Sequence, residues 1–314
     1  MAKELLDIIS EFLGFDRNEV LDIVNKAQTS YKKYNIRKKR GGTRIIHHPS
    51  KQTKAIQHAL METVLSKLPI HECAYAYRRE FRSPLRRNAE KHSLFSYSIR
   101  IDFKDFFPSI KPNDLFSVID KNSSMELDTS NKECLTKALF VKSKDKKQGL
   151  AVGAPSSPLI SNIVMYDLDQ EIQKIAGSIS RNNAYTRYAD DLVFSTNNKG
   201  DCRKFYNKVK SLIKKTQSPR LIIKEDKTVY LSRGTRRMVT GITITPDQHI
   251  SLGRRRKRYI KKLIFDYKNN KIEPKIKSYL EGFIAHILDV EPDYYNKLVI
   301  KYGGETLDRI RKHK

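Results

Sequence analysis

The 314-residue chain has few of the residues that mark disulfide-rich, zinc-binding or membrane-spanning proteins. It contains no tryptophan and three cysteines, Cys73, Cys134 and Cys202, which form no CxxC pair and no even disulfide framework. No run approaches the roughly 20 apolar residues that a bilayer span requires. Glu4 and Asp7 stand where a secretory signal would carry basic or apolar residues. We therefore expect a cytoplasmic protein without disulfides, a zinc site or a membrane partner.

Acidic residues are scarce relative to basic ones. The 35 Asp and Glu residues face 62 Lys and Arg residues, and the formal net charge is +27. This charge exceeds what solubility needs and suits a polyanion whose counterions are released when basic side chains neutralise its phosphates. Nucleic acid is therefore the expected partner, and an anionic membrane surface is the alternative that the charge alone would also suit. Since 39% of the residues are hydrophobic, a chain of this length can still bury a core.

Three of the acids occupy positions that suggest chemistry. The stretch Tyr185–Ser195 predicts two strands joined by a tight turn that carries Asp190 and Asp191. Adjacent carboxylates repel unless a cation lies between them, although a solvated turn is the alternative when this turn is considered alone. Asp102 ends an alternating strand, where a buried carboxylate is costly unless a cation matches it. Together the three acids predict a site for two Mg²⁺ ions, roughly 3.5–4 Å apart, that suits phosphoryl transfer.

At these residues the chain resembles the reverse transcriptases. The similarity to the three central palm motifs of that family lies in Asp102 with its following Phe-Phe-Pro-Ser, in Gly153–Pro158 and in Tyr188–Asp191. Two further elements, Asn88–His92 (NAxxH) and Val239–Gly241 (VTG), resemble those characteristic of bacterial retron reverse transcriptases. The five motifs follow one another in the order that the family shows.

The resemblance implies an α+β fold of the right-hand polymerase type, with fingers, a palm that contains an antiparallel sheet, and a helical thumb. We expect the N-terminal helices and fingers over residues 1–95 and the palm over residues 96–111 and 147–246. An insertion between palm and fingers is expected over residues 112–146. The basic helical thumb is expected over residues 247–314.

The resemblance further implies an RNA-directed DNA polymerase in which Asp102, Asp190 and Asp191 act with two Mg²⁺ ions and no covalent enzyme intermediate. For the retron type it implies a bacterial protein that copies part of one structured noncoding RNA, which supplies both template and primer. Synthesis would start at a 2′-hydroxyl and give single-stranded DNA as a branched RNA–DNA product. A role in antiphage defence beside an effector or toxin protein is also implied.

Two alternatives remain open at this point. An intron-type or diversity-generating reverse transcriptase would share the motifs, but no endonuclease or maturase extension accompanies them here, which counts against the intron type. A non-catalytic RNA-binding scaffold is the alternative from another class of protein. The presence of all three acids counts against a scaffold with a decayed site.

Residues around the acids are expected to bind the incoming dNTP. Arg44 lies in a basic hairpin, at the position where arginines of the fingers contact the nucleotide in the family; contact with the template backbone alone is the alternative. By resemblance, Phe103 supplies a backbone carbonyl to a metal. Phe107 is the aromatic gate that excludes a 2′-hydroxyl, with ordinary core packing as its alternative. Gly153 allows close approach of the backbone to a ligand, while Val152 stands where the family often carries Gln.

The stretch Leu221–Thr228 resembles the motif whose lysine is thought to protonate the departing pyrophosphate. Lys227 fits this role because a cation near the leaving group neutralises charge and can donate a proton. Lys224 competes for the assignment, and a surface lysine without a catalytic role is a further alternative.

Two segments are expected to bind nucleic acid. Asn88 and His92 of the NAxxH element are expected to contact RNA, either as general contacts or in recognition of the cognate structured RNA. Seven of the ten residues from Arg254 to Leu263 are basic, which suits a thumb that grips a duplex through its phosphates. The candidate contacts in this run are Arg254, Arg255, Arg256, Lys257 and Arg258.

Overall fold

The computed structural model describes residues 4–37, 41–123, 127–142 and 147–312. Its elements before the central sheet are α1 (Leu5–Leu13), α2 (Arg17–Ala27), β1 (Tyr31–Arg37), β2 (Thr43–Pro49), α3 (Lys51–Thr63) and α4 (Pro84–Lys91). The middle of the chain forms β3 (Tyr97–Asp102), α5 (Phe106–Ser109), α6 (Pro112–Asn122), α7 (Thr129–Leu139), β4 (Phe140–Lys142), β5 (Gln148–Leu150), α8 (Ser156–Val164), α9 (Tyr166–Ile179), β6 (Asn183–Tyr188), β7 (Asp191–Thr196) and α10 (Asp201–Lys215). The remainder forms β8 (Val229–Ser232), β9 (Arg237–Val239), β10 (Ile242–Ile244), β11 (Ile250–Ser251), α11 (Arg254–Lys268), α12 (Pro274–Val290), α13 (Pro292–Tyr302) and α14 (Gly304–Lys312).

The central sheet has the antiparallel strand order β6-β7-β3-β8. Because successive side chains of a strand point to opposite faces, Ile99 and Ile101 of β3 enter the main core together with Leu192 and Phe194 of β7. Helix α10 covers this face, where the Phe194 ring stacks on Phe205 with a centroid distance of 4.2 Å. The opposite face carries the polar and acidic residues of the same strands.

A second core joins α4 to the C-terminal part of the chain. Ala89 of α4 and Val193 of β7 lie in it with Val239 of β9 and with buried residues of helices α11 to α14. Strands β9, β10 and β11 form a small sheet separate from the central one. The predicted palm–thumb boundary at residues 246 and 247 falls between β10 and β11, inside this small sheet.

The mixture of helices with antiparallel sheets agrees with the predicted α+β class. Local signals define several element ends. Gly14 has φ +68° after α1, Asp16 accepts a hydrogen bond from the N–H of Asn18 at the start of α2, and Pro274 begins α12. Within the described ranges, no helix is both long enough and apolar enough to cross a bilayer.

Candidate active site

Asp102, Asp190 and Asp191 lie together at one end of the central sheet. The antiparallel pairing of β3 with β7 places Asp102 directly opposite Asp191. The turn from β6 to β7 consists of Ala189 and Asp190, with φ +56° at Ala189, a left-handed conformation that two-residue hairpin turns require. The backbone N–H of Phe103 donates to the Asp190 carbonyl over 3.1 Å, which attaches this turn to the end of β3.

Burial and neighbouring negative charge raise the pKa values of Asp190 and Asp191. Burial raises the pKa of Asp191 to about 6, with a further upward contribution from Asp190 and an opposing one from Arg100. Burial and the Asp102 charge also raise the pKa of Asp190. Carboxylates whose ionised forms are destabilised in this way gain from a nearby cation. The site is therefore electrostatically prepared for positive charge.

Two lysines supply part of that charge from the segment before β8. Lys224 Nζ lies 2.8 Å from Asp102 Oδ1, and Lys227 Nζ lies 3.9 Å from Asp102 Oδ2. The Lys224 N–H also donates to the Asp102 carbonyl over 2.8 Å, which fixes its backbone beside the acid. Burial by itself lowers the pKa of Lys224, but its contact with Asp102 outweighs that effect and the pKa is raised. Of the two lysines that the sequence left open, Lys224 is nearer to the acids.

The three acids meet the needs of a metal ion in part. Among the residues that the structure describes, no group of three or more His, Cys, Asp or Glu side chains is already arranged to hold one. Lys224 lies against Asp102, so this carboxylate faces an ammonium group. The available donors are nevertheless carboxylate oxygens at a strand end and an adjoining turn, which is the donor chemistry that Mg²⁺ prefers. The residues present fit Mg²⁺, provided that the ion replaces the Lys224 ammonium at the Asp102 carboxylate.

A cleft of about 560 Å³ opens beside the acids. Asp190 and Lys224 line it together with Arg44 of β2 and Phe107 of α5. Phe107 is half-buried, whereas the neighbouring Phe106 belongs to the core. The cleft therefore brings a guanidinium, an aromatic ring, an acid and a lysine to one space.

Two other predicted nucleotide-binding residues present only their backbone to the site. The Phe103 side chain is fully buried and stacks on Phe106, so only its main chain is available to the site. Gly153 has φ +116°, and a Cβ there would lie 2.8 Å from Ile46 Cγ2. The adjoining Val152 carbonyl accepts a hydrogen bond from the N–H of His47 over 2.8 Å. Glycine is needed at position 153 because its turn packs directly against β2.

The predicted RNA contacts of the NAxxH element require a correction. Asn88 and His92 are both fully buried, so neither side chain can reach RNA in this structure. His92 Nδ1 lies 2.8 Å from Ser195 Oγ on β7, and its Nε2 lies 2.7 Å from Thr186 Oγ1 on β6. Asn88 Nδ2 lies 3.5 Å from Thr240 Oγ1 in the VTG turn. The element packs inside the protein, beneath the strands that carry the acids.

The five basic candidates on α11 separate into two groups. Arg254, Arg255 and Arg258 are exposed. Arg256 Nη1 donates to the Gly241 carbonyl over 2.7 Å. Lys257 is ion-paired with Glu291 and lies 4.5 Å from the centre of the Tyr294 ring. Internal partners thus hold the half-buried Arg256 and Lys257 side chains, and direct nucleic-acid contact by the five residues stays a prediction.

Several residues that line the cleft were not predicted from the sequence. They are Tyr77, Lys111, Lys142 and Lys147. The lysines lie on segments that carry no recognisable motif, so their place beside the cleft follows from tertiary structure. Tyr77 has φ +62°, a conformation that is uncommon for a bulky residue.

Comparison with protein families identifies the class. Residues 36–277 match the family described as reverse transcriptase (RNA-dependent DNA polymerase). Since the match covers well over half of the chain, the protein belongs to the reverse transcriptase family. It is an RNA-directed DNA polymerase with the right-hand polymerase fold, and both predictions are confirmed. Members of this family generally use divalent metal ions.

Curated relatives specify the type. The Retron Ec83 reverse transcriptase of Escherichia coli is 37% identical, with 93% of this chain and 94% of the relative covered. The Retron Ec73 reverse transcriptase of Escherichia coli is 36% identical, with 87% of each covered. The Retron Ec86 reverse transcriptase of the same species is 30% identical, with 92% of this chain and 88% of the relative covered. The chain is a bacterial retron reverse transcriptase, as its NAxxH and VTG elements predicted.

Among solved structures, apo telomerase from Candida tropicalis is similar at a TM-score of 0.49 and 16% sequence identity, and the alignment covers 91% of this chain and 63% of the telomerase chain. This chain thus spans under two thirds of that protein.

Proposed function

We propose that the protein copies part of one structured noncoding RNA into single-stranded DNA by nucleotidyl transfer in the cleft beside Asp102, Asp190 and Asp191. The observation that carries the proposal is the pairing of Asp102 with Asp191 across β3 and β7, with Asp190 in the adjoining turn. Two strands and one turn thereby bring three carboxylates together, and Asp190 lines a cleft that basic and aromatic side chains also line.

The three carboxylates would hold two Mg²⁺ ions. When bound, Mg²⁺ lowers the pKa of the primer hydroxyl and neutralises charge on the triphosphate. Asp102 and Asp191 are presented by paired strands, so their backbones are fixed relative to each other. Asp190 is held by the bond from the Phe103 N–H to its carbonyl. This rigidity preorganises the ligands and limits the reorganisation needed for catalysis.

Lys224 is proposed to act on the leaving group. Its contact with Asp102 raises its pKa, and a lysine ammonium is protonated at neutral pH even without that contact. With Asp102 engaged by a cation, the Lys224 ammonium would be free to neutralise the departing pyrophosphate and to donate a proton to it. Lys227 has the same chemistry but lies farther from Asp102, so we assign it the lesser role.

Arg44 and Phe107 are proposed to select and orient the incoming dNTP. The exposed Arg44 guanidinium has the planar fork that binds phosphate oxygens in pairs. The Phe107 ring would lie beneath the sugar, where it leaves no room for a 2′-hydroxyl and offers it no hydrogen bond. The location of both residues on the cleft wall supports these roles.

The similarity to retron reverse transcriptases supports three further parts of the proposal. Template and primer come from the same folded RNA, and synthesis starts at a 2′-hydroxyl to give a branched RNA–DNA product. The exposed Arg254, Arg255 and Arg258 of α11 contact phosphates of this nucleic acid. The protein serves in antiphage defence beside an effector or toxin protein.

The test uses protein purified with its co-expressed RNA and supplied with Mg²⁺ and labelled dNTPs. We expect DNA synthesis by the wild-type protein and its loss in Asp190→Asn, while the RNA still co-purifies. Asp167→Asn is the matched control, because this exposed acid forms a surface ion pair with Lys121. Sequencing of the product should show DNA covalently joined to RNA. Retained RNA without any DNA synthesis by the wild-type protein would contradict the proposal.

A further inference from the structure

Tyr77 is an aromatic residue beside the acidic turn that the mechanism above does not use. It is 46% exposed and lines the cleft together with Asp190 and Phe107. Its ring centre lies 6.4 Å from that of Phe107, with the planes inclined at 53°. Burial and then the Asp190 charge raise the pKa of Tyr77, which agrees with a phenol close to this acid.

The chain brings Tyr77 to this place by running alongside β6. Ala74 forms a parallel bridge with Arg187, the Tyr75 N–H donates to the Arg187 carbonyl over 2.8 Å, and the Arg187 N–H donates to the Cys73 carbonyl over 2.7 Å. Because the two segments run in the same direction, the residues after Tyr75 continue toward the end of β6. That end is the turn which carries Asp190.

Buried polar residues hold the backbone just before Tyr77. Asn162 Nδ2 donates to the Ala76 carbonyl over 2.9 Å, and Asn162 Oδ1 accepts from Arg187 Nη1 over 3.0 Å. Arg187 in turn forms an ion pair with Asp169, and all three of these polar side chains are fully buried. A left-handed φ of +62° at a bulky residue persists only where surrounding structure imposes it, and such positions cluster at functional sites.

We propose that Tyr77 packs against the base pair that the incoming dNTP forms with the template, and that Tyr77 and Phe107 together set the fit of that pair. This inference rests on the proposed function. If Phe107 lies beneath the sugar and Arg44 binds the triphosphate, a second exposed ring next to Phe107 meets the adjoining nucleoside surface. Every base has a π-face, so such packing accepts all four bases while it restricts the shape of the base pair.

The experiment measures insertion of a single nucleotide on a DNA primer annealed to an RNA template, with matched and mismatched dNTPs titrated separately. Tyr77→Leu removes the ring, and Tyr77→Phe keeps it. We expect Tyr77→Leu to raise KM for the matched dNTP roughly tenfold, as loss of one stacking contact would, and to increase mismatched insertion. Tyr77→Phe should stay within about twofold of the wild type, because packing uses the ring and not the hydroxyl.

Tyr75→Leu is the control from the same segment. The Tyr75 ring packs 5.3 Å from Phe81 and is not part of the cleft wall, so both KM and mismatched insertion should keep their wild-type values. Thermal unfolding and primer–template affinity of each variant show whether the fold is intact. A folded Tyr77→Leu protein with wild-type KM and fidelity would overturn this inference alone. An equal change in KM and mismatched insertion in Tyr75→Leu would also overturn the inference about Tyr77. If the wild-type protein extended no primer, both this inference and the proposed function would be overturned.

Discussion

His92 Nδ1 lies 2.8 Å from Ser195 Oγ in the interior of the protein. Ser195 Oγ donates its own proton to Ser98 Oγ over 2.8 Å, so it must accept the proton of His92 Nδ1–H. His92 Nε2 is then the acceptor for the Thr186 hydroxyl, 2.7 Å away. This chain of bonds fastens the end of α4 to β3, β6 and β7, the strands whose ends and connecting turn carry the acidic residues. The NAxxH element therefore supports the catalytic sheet from beneath.

Replacement of His92 by Ala should destabilise the protein by about 3 kcal/mol, because it leaves a cavity and buried hydroxyls without a partner. The free energy of unfolding in urea measures this loss. His249→Ala is the matched control, since the His249 side chain is exposed and should contribute almost nothing. A His92→Ala protein as stable as the wild type would show that these hydrogen bonds do not stabilise the fold.

The same histidine should make stability depend on pH. Burial lowers the pKa of His92 to about 3, so it stays neutral in the folded protein, whereas in the unfolded chain it titrates near its ordinary 6.5. Between these values the unfolded state binds the extra proton, so acid favours unfolding by roughly 1.4 kcal/mol per pH unit. The stability is complete above the unfolded pKa and is lost as the pH falls toward 3. Urea unfolding at pH 7, 6 and 5 should show a shallower decline in His92→Gln than in the wild type.

Lys224 and Lys227 should contribute unequally to catalysis. Lys224 lies nearer to Asp102 and lines the cleft, so Lys224→Ala should lower the rate of single-turnover dNTP incorporation about 100-fold. Lys227→Ala should lower it only a few-fold, because Lys227 Nζ is 3.9 Å from Asp102 and more exposed. Lys224→Arg keeps the positive charge, so a near wild-type rate in this variant would show that charge alone suffices for the role of Lys224. A larger loss in Lys227→Ala would reverse the assignment.

Phe107→Ala should admit ribonucleotides. Removal of the ring opens space for a 2′-hydroxyl, so incorporation of rNTPs relative to dNTPs should rise roughly tenfold or more, while primer–template affinity stays the same. Competition between rNTP and dNTP in primer extension measures the ratio. An unchanged ratio would assign Phe107 to the packing against Tyr77 and Phe106 that the structure also shows.

The sequence predicts the parts of the site whose signals are local. The turn at Asp190 and the strand that ends at Asp102 are each recognisable from about ten neighbouring residues. The place of Tyr77 depends on the parallel bridge between Ala74 and Arg187, which lie more than a hundred residues apart and which no local pattern connects. Burial of His92 was missed for another reason. Helix α4 carries charged residues such as Arg87 and Lys91 on its exposed side, so its composition suggested a surface helix lying against RNA.

The basic residues of α11 should separate into two functional classes under changes of salt. Log affinity falls as log salt concentration rises, and each phosphate contact that is lost makes this slope shallower by about 0.9 for a duplex. Arg255→Gln and Arg258→Gln remove exposed charges, so each should weaken binding of an RNA–DNA duplex and reduce this slope. Lys257→Gln instead breaks an internal pair with Glu291, so it should lower the unfolding temperature and leave the slope nearly unchanged. Fluorescence anisotropy at several salt concentrations measures the slopes, and equal slopes for Lys257→Gln and Arg258→Gln would mean that the ion pair opens to bind phosphate.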